Sequence, residues 1–394
     1  MVKSIALVCH EYPPYLFGGI GTFCYDLSVK LAENQIHTTV ITGISKKAKK
    51  KKVNDYLTVI RLSFLNYPPR PFWFQLQNIH ILSRCFNNTS LIHCIRPEIS
   101  IISSYYKNKY SIPMITSLHG TFVGDLKVFL TSPTDAWTMG DFGYNIIEYP
   151  LNELFYRHAL NSSDKVLTCS NFTLNEIQNI YPSKMSSNIE VINNAIKIED
   201  FDKLNASEIK DKDNDSQYII FYGRLFWRKG LTFLLYAIKK LIKNNPKIKL
   251  DIFGKGPMKK YLQKIITENN LENNVKLKGH VAYDTLLNSI KKAKFIILPS
   301  LYEAQSIAML EAMAFKKTIV AFDLPFASEI IKNNKTGILV KPLDENDLAE
   351  KIQELLNDPE KAEIIGNNAY NYVKKNHNWD IIINKYIDVY NQLT

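Results

Sequence analysis

Short apolar runs rich in β-branched residues alternate with helix-like stretches along almost the whole chain. In the first half the predicted strands are SIALV, TTVIT, LTVIRL, LIHCI, PMITSLH, KVLTCS and IEVINN. A second series follows, with QYIIFYGRL, IKLDIFG, NVKLKGH, FIILPS, TIVAFD and GILVKP, and a helical tail begins after Trp379. Strands separated by helix-length segments are typical of parallel α/β sheets. The pattern predicts an α/β protein with two doubly wound, Rossmann-like domains facing a shared cleft.

The boundary between the two series falls at a polar stretch around residues 205–217, which we interpret as a linker or hinge. With 394 residues the chain also exceeds the ~250–300 residues at which a single core stops growing. We therefore predict a first domain over 1–195 and a second over 196–377. The last helix, 378–394, is predicted to pack back on the first domain.

The net charge of +11, from 49 Lys and Arg against 38 Asp and Glu, favours an anionic partner without identifying it. The densest basic run, Lys46 to Lys52, is either a solvated loop or a contact for an anionic membrane surface. Nucleic acid is not predicted as a partner, because no recognition motif accompanies the run. The segment Tyr67 to Phe74 is either an aromatic and cationic surface or a proline-rich loop packed by its own aromatics.

The five cysteines show neither C-x-x-C spacing nor an even framework, so neither a zinc site nor a disulfide scaffold is expected. No stretch reaches the ~18 apolar residues of a membrane-spanning helix. The sequence therefore predicts a cytoplasmic protein, either soluble or peripheral on the inner face of the membrane. The aspartates in 211–215 lie in the predicted linker and are interpreted as solvated, so no metal site is predicted.

A glycine-rich loop follows the first predicted strand and opens a helix near Thr22. Gly18, Gly19 and Gly21 would let backbone N–H groups approach a phosphate at the helix N-terminus. A dinucleotide fingerprint would need a third glycine and an acid at the end of the second strand. Here Cys24 occupies the glycine position and no acid ends that strand, so a nicotinamide cofactor is not favoured.

The second series opens with a similar strand-to-helix loop, GRLFWRKG. Arg224 can fork onto phosphate oxygens and Lys229 can add a point charge, so together they could neutralise a diphosphate. Gly254 ends the next strand and is interpreted either as a ligand-approach position or as a tight loop that fixes local geometry.

Two glutamates in PSLYEAQSIAMLEAMA form the sharpest candidate site. If a helix starts near Ser306, the backbone around Gln305, Ser306 and Ile307 faces phosphate. Glu311 then lies roughly 7.5 Å further along the helix, whereas Glu303 precedes it. One acid can reach ribose hydroxyls and the other can reach sugar hydroxyls. His119, at the end of MITSLHG, either binds a sugar hydroxyl or has a structural role.

Taken in order, these motifs resemble glycosyltransferase family 4, the retaining GT-B enzymes, over essentially the whole chain. The resemblance rests on EYPPYLFGGIGTF, TSLHG, VINNAI, GRLFWRKG, IFGKGP, VKLKGHV and PSLYEAQSIAMLEAMA. It implies transfer of a hexose-type sugar from a UDP- or GDP-sugar, without metal or added cofactor, to a glycan or lipid-linked acceptor. The first domain would then face the acceptor and the second would hold the donor.

The resemblance also implies residue roles. Arg224 and Lys229 would hold the diphosphate, Glu311 the ribose and Glu303 the donor sugar, with His119 near the reacting carbon. The glycines from Gly18 to Gly21 would lie against phosphate and acceptor. The family often has Phe-Gly where this chain has Gln305-Ser306, which leaves the donor sugar open.

The sequence leaves other functions open. One alternative is a noncatalytic scaffold that binds a sugar nucleotide, since a fold alone does not establish chemistry. A GT-B epimerase or phosphorylase is another. The first domain supplies no separately placed carboxylate nucleophile, so same-face attack is favoured over double displacement.

Overall fold

The computed structural model of the chain describes residues 2–15, 19–44, 49–65, 70–137, 149–182, 188–206 and 217–394, without the side chains of 44, 70–72 and 135. Gly18, the first three residues of the lysine run and most of the predicted linker lie outside these ranges.

The chain divides into two compact units. The first comprises Met1–Phe122, Ile146–Asn194 and Trp379–Thr394, and the second comprises Val123–Asn145 and Ala195–Asn378. The sequence pattern placed all of 1–195 in the first domain, whereas the structure groups 123–145 with the second unit. The physical reason is tertiary: Gly124 packs against Tyr302, and Asp125 pairs with Arg228, so this segment follows the second unit.

The sheet of the first unit contains the strands β1 Ser4–Cys9, β2 His37–Ile44, β3 Lys49–Lys52, β4 Leu57–Ser63, β5 Leu91–Cys94, β6 Met114–Leu118, β7 Lys165–Thr168 and β8 Ile189–Val191. Their order is β3-β4-β2-β1-β5-β6-β7-β8. All neighbours are parallel except β3 and β4. The predicted strands of the first half are confirmed, but β3 was not predicted, since four consecutive lysines carry no apolar alternation.

Among the described residues up to 180, the helices are α1 Gly19–Glu33, α2 Arg70–Gln77, α3 Ile79–Phe86, α4 Ser100–Tyr110, α5 Phe122–Leu130, α6 Tyr149–Ser162 and α7 Asn171–Ile180. In α2, Phe74 is fully buried and Trp73 packs against the same core, with Phe64 and Phe74 in edge contact. The aromatic surface considered for this segment is therefore not formed by Trp73 and Phe74.

The second unit has β9 Tyr218–Tyr222, β10 Lys249–Phe253, β11 Val275–Gly279, β12 Ile296–Ile297, β13 Ile319–Phe322 and β14 Ile338–Val340, in the order β11-β10-β9-β12-β13-β14. All of these pairs are parallel. Its helices are α8 Ile198–Ala206, α9 Leu231–Leu241, α10 Lys259–Glu268, α11 Tyr283–Lys292, α12 Ile307–Ala314, α13 Pro325–Ile330, α14 Glu345–Asn357 and α15 Pro359–Asn376.

The last helix, α16 Trp379–Leu393, lies in the first unit. Lys30 of α1 pairs with Asp380 at 2.8 Å, and the Tyr390 hydroxyl lies 2.8 Å from Nδ1 of His93 on β5. Trp379 is fully buried. The C-terminal helix thus belongs to the core of the first unit.

Both sheets change winding direction beside their first strand, between β1 and β5 and between β9 and β12. Ligands of doubly wound sheets bind outside the carboxyl ends of the strands at such a switch point. In the described ranges, no helix combines the length and apolarity that crossing a membrane requires.

Candidate functional site

Two loops meet at the switch point of the second sheet: the arginine loop, 223–230, which follows β9, and the glutamate loop, 298–306, which follows β12. Their backbones are in direct contact, since the Leu301 N–H donates to the Arg228 carbonyl at 2.7 Å. Gly230 has a φ of +66°, and a Cβ there would collide with the Pro299 carbonyl oxygen. The loops can approach this closely only because residue 230 is glycine.

The close approach brings two hydrogen-bond donors and a second cation to the carboxylate of Glu303, which is 8% exposed. Lys229 Nζ and Ser300 Oγ both donate to Oε1, the latter at 3.1 Å, and Arg228 lies 3.8 Å from Oε2. Burial alone would raise the pKa of Glu303, but the charges of Lys229 and Arg228 and the two hydrogen bonds outweigh it and lower the pKa. Glu303 is therefore a buried, ionised carboxylate at neutral pH.

The arrangement around Glu303 includes residues that the sequence did not identify. Arg228 also lies 3.4 Å from Asp125 of α5. The backbone of Gly124 packs against the Tyr302 ring, and Trp227 donates its indole N–H to the Thr131 hydroxyl at 3.1 Å. Arg228 and Ser300 could have been suspected from their places beside Lys229 and Glu303. Nothing in the sequence pairs Asp125 with them, because that contact exists only in the folded unit.

Arg224 is not part of the group around Glu303. Its exposed guanidinium stacks over the Phe226 ring at 4.4 Å from the ring centre, on the same arginine loop. An arginine guanidinium can bind two phosphate oxygens at once, so the diphosphate role of Arg224 stays a prediction.

Gly254 has a structural role. Its φ is +136°, and a Cβ there would collide with the Gly223 carbonyl oxygen. The glycine thus fixes the geometry of a tight loop, and its role in ligand approach stays a prediction.

The helix start predicted near Ser306 is confirmed. Ser306 caps α12, its hydroxyl accepting from the Met309 N–H at 3.4 Å, and Gln305 and Ser306 are both buried. Ile307 is half-buried in the first turn. The N–H groups of a first helical turn carry partial positive charge and suit an anion.

Glu311 lies further along α12 and is half-buried. Burial, followed by the negative charge of Glu311, raises the pKa of Tyr283 to about 12. The Tyr222 hydroxyl donates to the Ala308 carbonyl at 2.8 Å. Burial and then the negative charge of Glu311 raise the pKa of Tyr222. The two glutamates thus occupy different surroundings, one ahead of the helix among cations and one within it beside tyrosines.

In the first unit, His119 follows β6 at the carboxyl edge of the sheet. Its ring meets Phe23 edge-on at 4.7 Å between ring centres. Nε2 is buried and makes no hydrogen bond to any residue that the structure describes. Burial, and then the positive charge of Arg96, lower the pKa of His119 to about 4, so the imidazole is neutral at pH 7. Arg96 itself is ion-paired with the buried Glu98.

Gly19 and Gly21 lie in the first turn of α1, which begins three residues earlier than the sequence indicated. Gly18 lies outside the described residues. Within the described ranges, no group of three or more His, Cys, Asp or Glu side chains is arranged as metal ligands.

Two family descriptions match adjacent parts of the chain. Residues 17–200 match Glycosyltransferase Family 4, and residues 202–372 match Glycosyl transferases group 1. An uncharacterized glycosyltransferase from Methanocaldococcus jannaschii is 27% identical over 400 residues, which cover 98% of this chain and 97% of that protein.

Solved structures share the fold over nearly the full length. Sucrose-phosphate synthase from Thermosynechococcus elongatus has a TM-score of 0.80 at 20% identity, with 99% of each chain covered. HepE of Anabaena, solved with UDP and glucose, has a TM-score of 0.73 at 16% identity, covering 99% of this chain and 100% of that one. With both sheets showing the Rossmann strand order, the chain has the GT-B fold and belongs to glycosyltransferase family 4.

Proposed function

We propose that the protein is a retaining glycosyltransferase that moves a hexose-type sugar from a UDP- or GDP-sugar to a glycan or lipid-linked glycan. The observation that carries the proposal is the Glu303 carboxylate, held ionised among Lys229, Arg228 and Ser300 at the switch point of the second sheet. A fixed carboxylate is an apt acceptor for vicinal sugar hydroxyls.

The other residues are assigned to the rest of the donor. Arg224 and Lys229 hold the diphosphate, assisted by the backbone N–H groups at the start of α12 around Gln305, Ser306 and Ile307. Glu311, one or two turns along the same helix, accepts from the ribose hydroxyls. His119, neutral at pH 7, provides a hydrogen bond to a sugar hydroxyl. Gly19 and Gly21 allow close backbone approach at the start of α1, while Gly254 supports the arginine loop.

The proposed reaction is same-face substitution. The bond between the anomeric carbon and the diphosphate oxygen breaks while the acceptor hydroxyl oxygen bonds to that carbon from the same side. The hydroxyl proton passes to the departing diphosphate. Negative charge grows on the diphosphate, so preorganised cations lower the barrier. Arg224 and Lys229 supply that charge without requiring a metal ion.

A screen of purified protein against labelled UDP-, GDP- and ADP-sugars tests the proposal. Release of free sugar in the absence of acceptor identifies the donor, and the structure of HepE with UDP and glucose makes UDP-glucose the first candidate. The anomeric configuration of a product formed with added acceptor then tests retention. A protein that binds UDP but never cleaves any donor would be the noncatalytic scaffold instead.

We also propose that the first unit contacts an anionic membrane surface at the cytoplasmic face. Support comes from β3, an edge strand whose four lysines, Lys49 to Lys52, are all exposed. Lys50 lies close enough to α3 for its charge to oppose the burial that raises the pKa of Cys85. Three exposed apolar side chains occur in the nearby segments, namely Leu65, Leu76 and Ile81.

A further inference from the structure

Glu303 has two cations beside it, and the proposed diphosphate contact accounts for only one of them, Lys229. The other, Arg228, lies 3.8 Å from Oε2 of Glu303 and 3.4 Å from Oδ1 of Asp125. Its side chain is 33% exposed and that of Glu303 is 10% exposed, so the pair is partly shielded from water. Arg228 therefore bridges two carboxylates.

Both ends of this bridge are fixed by backbone and ring contacts. The Arg228 carbonyl accepts from Leu301, which lies two residues before Glu303. Asp125 lies in α5, which is held to the same loops by the packing of Gly124 on Tyr302 and by the bond from Trp227 to Thr131. These contacts fix the main chain from which Arg228 and Asp125 project, so pairing costs only the rotamer freedom of the two side chains.

We propose that Arg228 and Asp125 are a positioning pair, which keeps the Glu303 carboxylate charge-balanced and fixed in orientation while the donor diphosphate draws on Lys229. The identity of that diphosphate rests on the proposed function. Lys229 and Ser300 both bind Oε1, so Arg228 is the cation on the Oε2 side. Asp125 keeps the guanidinium from turning toward the diphosphate.

The kinetic signature separates positioning from binding. Arg228→Gln should reduce kcat about tenfold for the donor found in the screen while UDP affinity changes less than about threefold. Arg228→Lys, which keeps the charge, should recover most of the loss. Asp125→Asn should also lower kcat without weakening UDP binding. If Arg228→Gln weakens UDP binding as much as it lowers kcat, Arg228 is a phosphate ligand and the positioning role is wrong.

The pH profile provides a second readout. The charged groups facing Glu303 are Lys229 and Arg228, with Asp125 behind Arg228. Loss of Arg228 removes one of the charges that lower the pKa of Glu303, so the acid limb of kcat should move to higher pH in Arg228→Gln. Arg228→Lys should leave it near the wild-type position. An unmoved acid limb in Arg228→Gln would contradict the proposal.

A test without substrate keeps this proposal separate from the proposed function. Thermal unfolding midpoints of the full chain are compared at pH 7 for wild type, Arg228→Gln, Glu303→Gln and the double variant. The two substitutions should be strongly non-additive, because each removes the same contact between Arg228 and Glu303. Lys240, whose side chain is 39% exposed and pairs with Glu345, is the matched control, and Lys240→Gln should add independently to Glu303→Gln. Equal additivity for both pairs overturns the positioning pair, even if the screen has identified a donor.

Discussion

Glu303 and Arg224, which we propose bind the donor sugar and its diphosphate, have different surroundings. Glu303 is buried and held by fixed donors, whereas Arg224 is exposed and stacked on Phe226. The first arrangement fixes orientation before a ligand arrives. The second places a guanidinium at the surface of the arginine loop.

Arg224 and Glu311 should therefore differ in kinetic effect. Arg224→Ala should lower kcat by on the order of 10²–10³, because its contact strengthens as charge grows on the leaving diphosphate. Glu311→Gln should raise the KM for the donor with little change in kcat, because a ribose contact is equal in ground and transition states. Steady-state kinetics on both variants, with Lys240→Gln as control, measures how much of each effect falls on kcat and how much on KM. A pure KM effect from Arg224→Ala would contradict the assignment.

His119 should make the free energy of unfolding decrease as the pH falls. Its folded pKa of about 4 lies below the ordinary 6.5, so the folded state resists protonation. The stabilising contribution is fully present above pH 6.5 and decreases as the pH falls toward 4, by about 3 kcal/mol for the full shift. His119→Gln should flatten this fall, although His93, with a pKa of about 3 caused by burial, retains its own share.

Thermal unfolding midpoints between pH 4 and 7 measure this effect. The exposed His280 offers a control, since His280→Gln should leave the wild-type slope in place. If the slope is the same in His119→Gln as in wild type, His119 is not a suppressed titrating group.

The sequence predicted site roles for Glu303, Lys229 and Arg224 because charged residues at strand ends stand out against apolar strands, and the structure brings Lys229 and Glu303 into contact. It missed Asp125, which acts through a contact with a residue about a hundred positions away in the chain. For the segment Tyr67 to Phe74 the sequence left two interpretations open, an aromatic and cationic surface or a loop packed by its own aromatics, and in the structure Phe74 is buried in the core. Aromatic residues give the same sequence pattern in a buried core and on an exposed surface, so only the packing of the folded chain distinguishes the two.

At the scale of elements, the sequence predicted the parallel strands and the start of α12, but it did not predict β3 or the contact between the two loops. The parallel strands follow from apolar runs between helices, and the start of α12 follows from Ser306, whose side chain caps it. The strand β3 and the docking of the arginine loop on the glutamate loop have no local signal. Both depend on a neighbouring backbone, β4 in one case and Pro299 in the other.

The loop docking can be tested with two glycines of similar backbone conformation. Gly230 and Gly279 have φ of +66° and +70°, but a Cβ at 279 meets nothing within 4 Å, whereas at 230 it collides with the Pro299 carbonyl. Gly279→Ala should cost about 1 kcal/mol from left-handed strain alone. Gly230→Ala should cost several kcal/mol, because backbone must also move. Thermal or denaturant unfolding compares them, and similar losses would show that the close approach is not required.

At the scale of the whole molecule, we expect binding to an anionic membrane to depend more on where the exposed lysines lie than on the net charge of +11. Replacing Lys49 to Lys52 with Gln should weaken binding to vesicles of phosphatidylcholine with 30% phosphatidylserine by at least tenfold, since each basic residue near such a surface contributes about 1 kcal/mol. A matched control replaces four exposed lysines of the second unit, namely Lys259, Lys260, Lys264 and Lys276. Sedimentation with vesicles measures both. Equal losses, or binding that does not weaken with salt, would rule out a specific basic surface.

The central claim is that Glu303 anchors a donor sugar during transfer. Its most direct test is the kcat of Glu303→Gln at saturating donor, measured together with UDP titration of the same protein. The amide keeps the shape of the side chain but removes the charge that Lys229 and Arg228 balance. We expect kcat to fall by about 10² or more, with UDP affinity within a few-fold of wild type. Wild-type kcat in Glu303→Gln would contradict the assignment of the donor-sugar site.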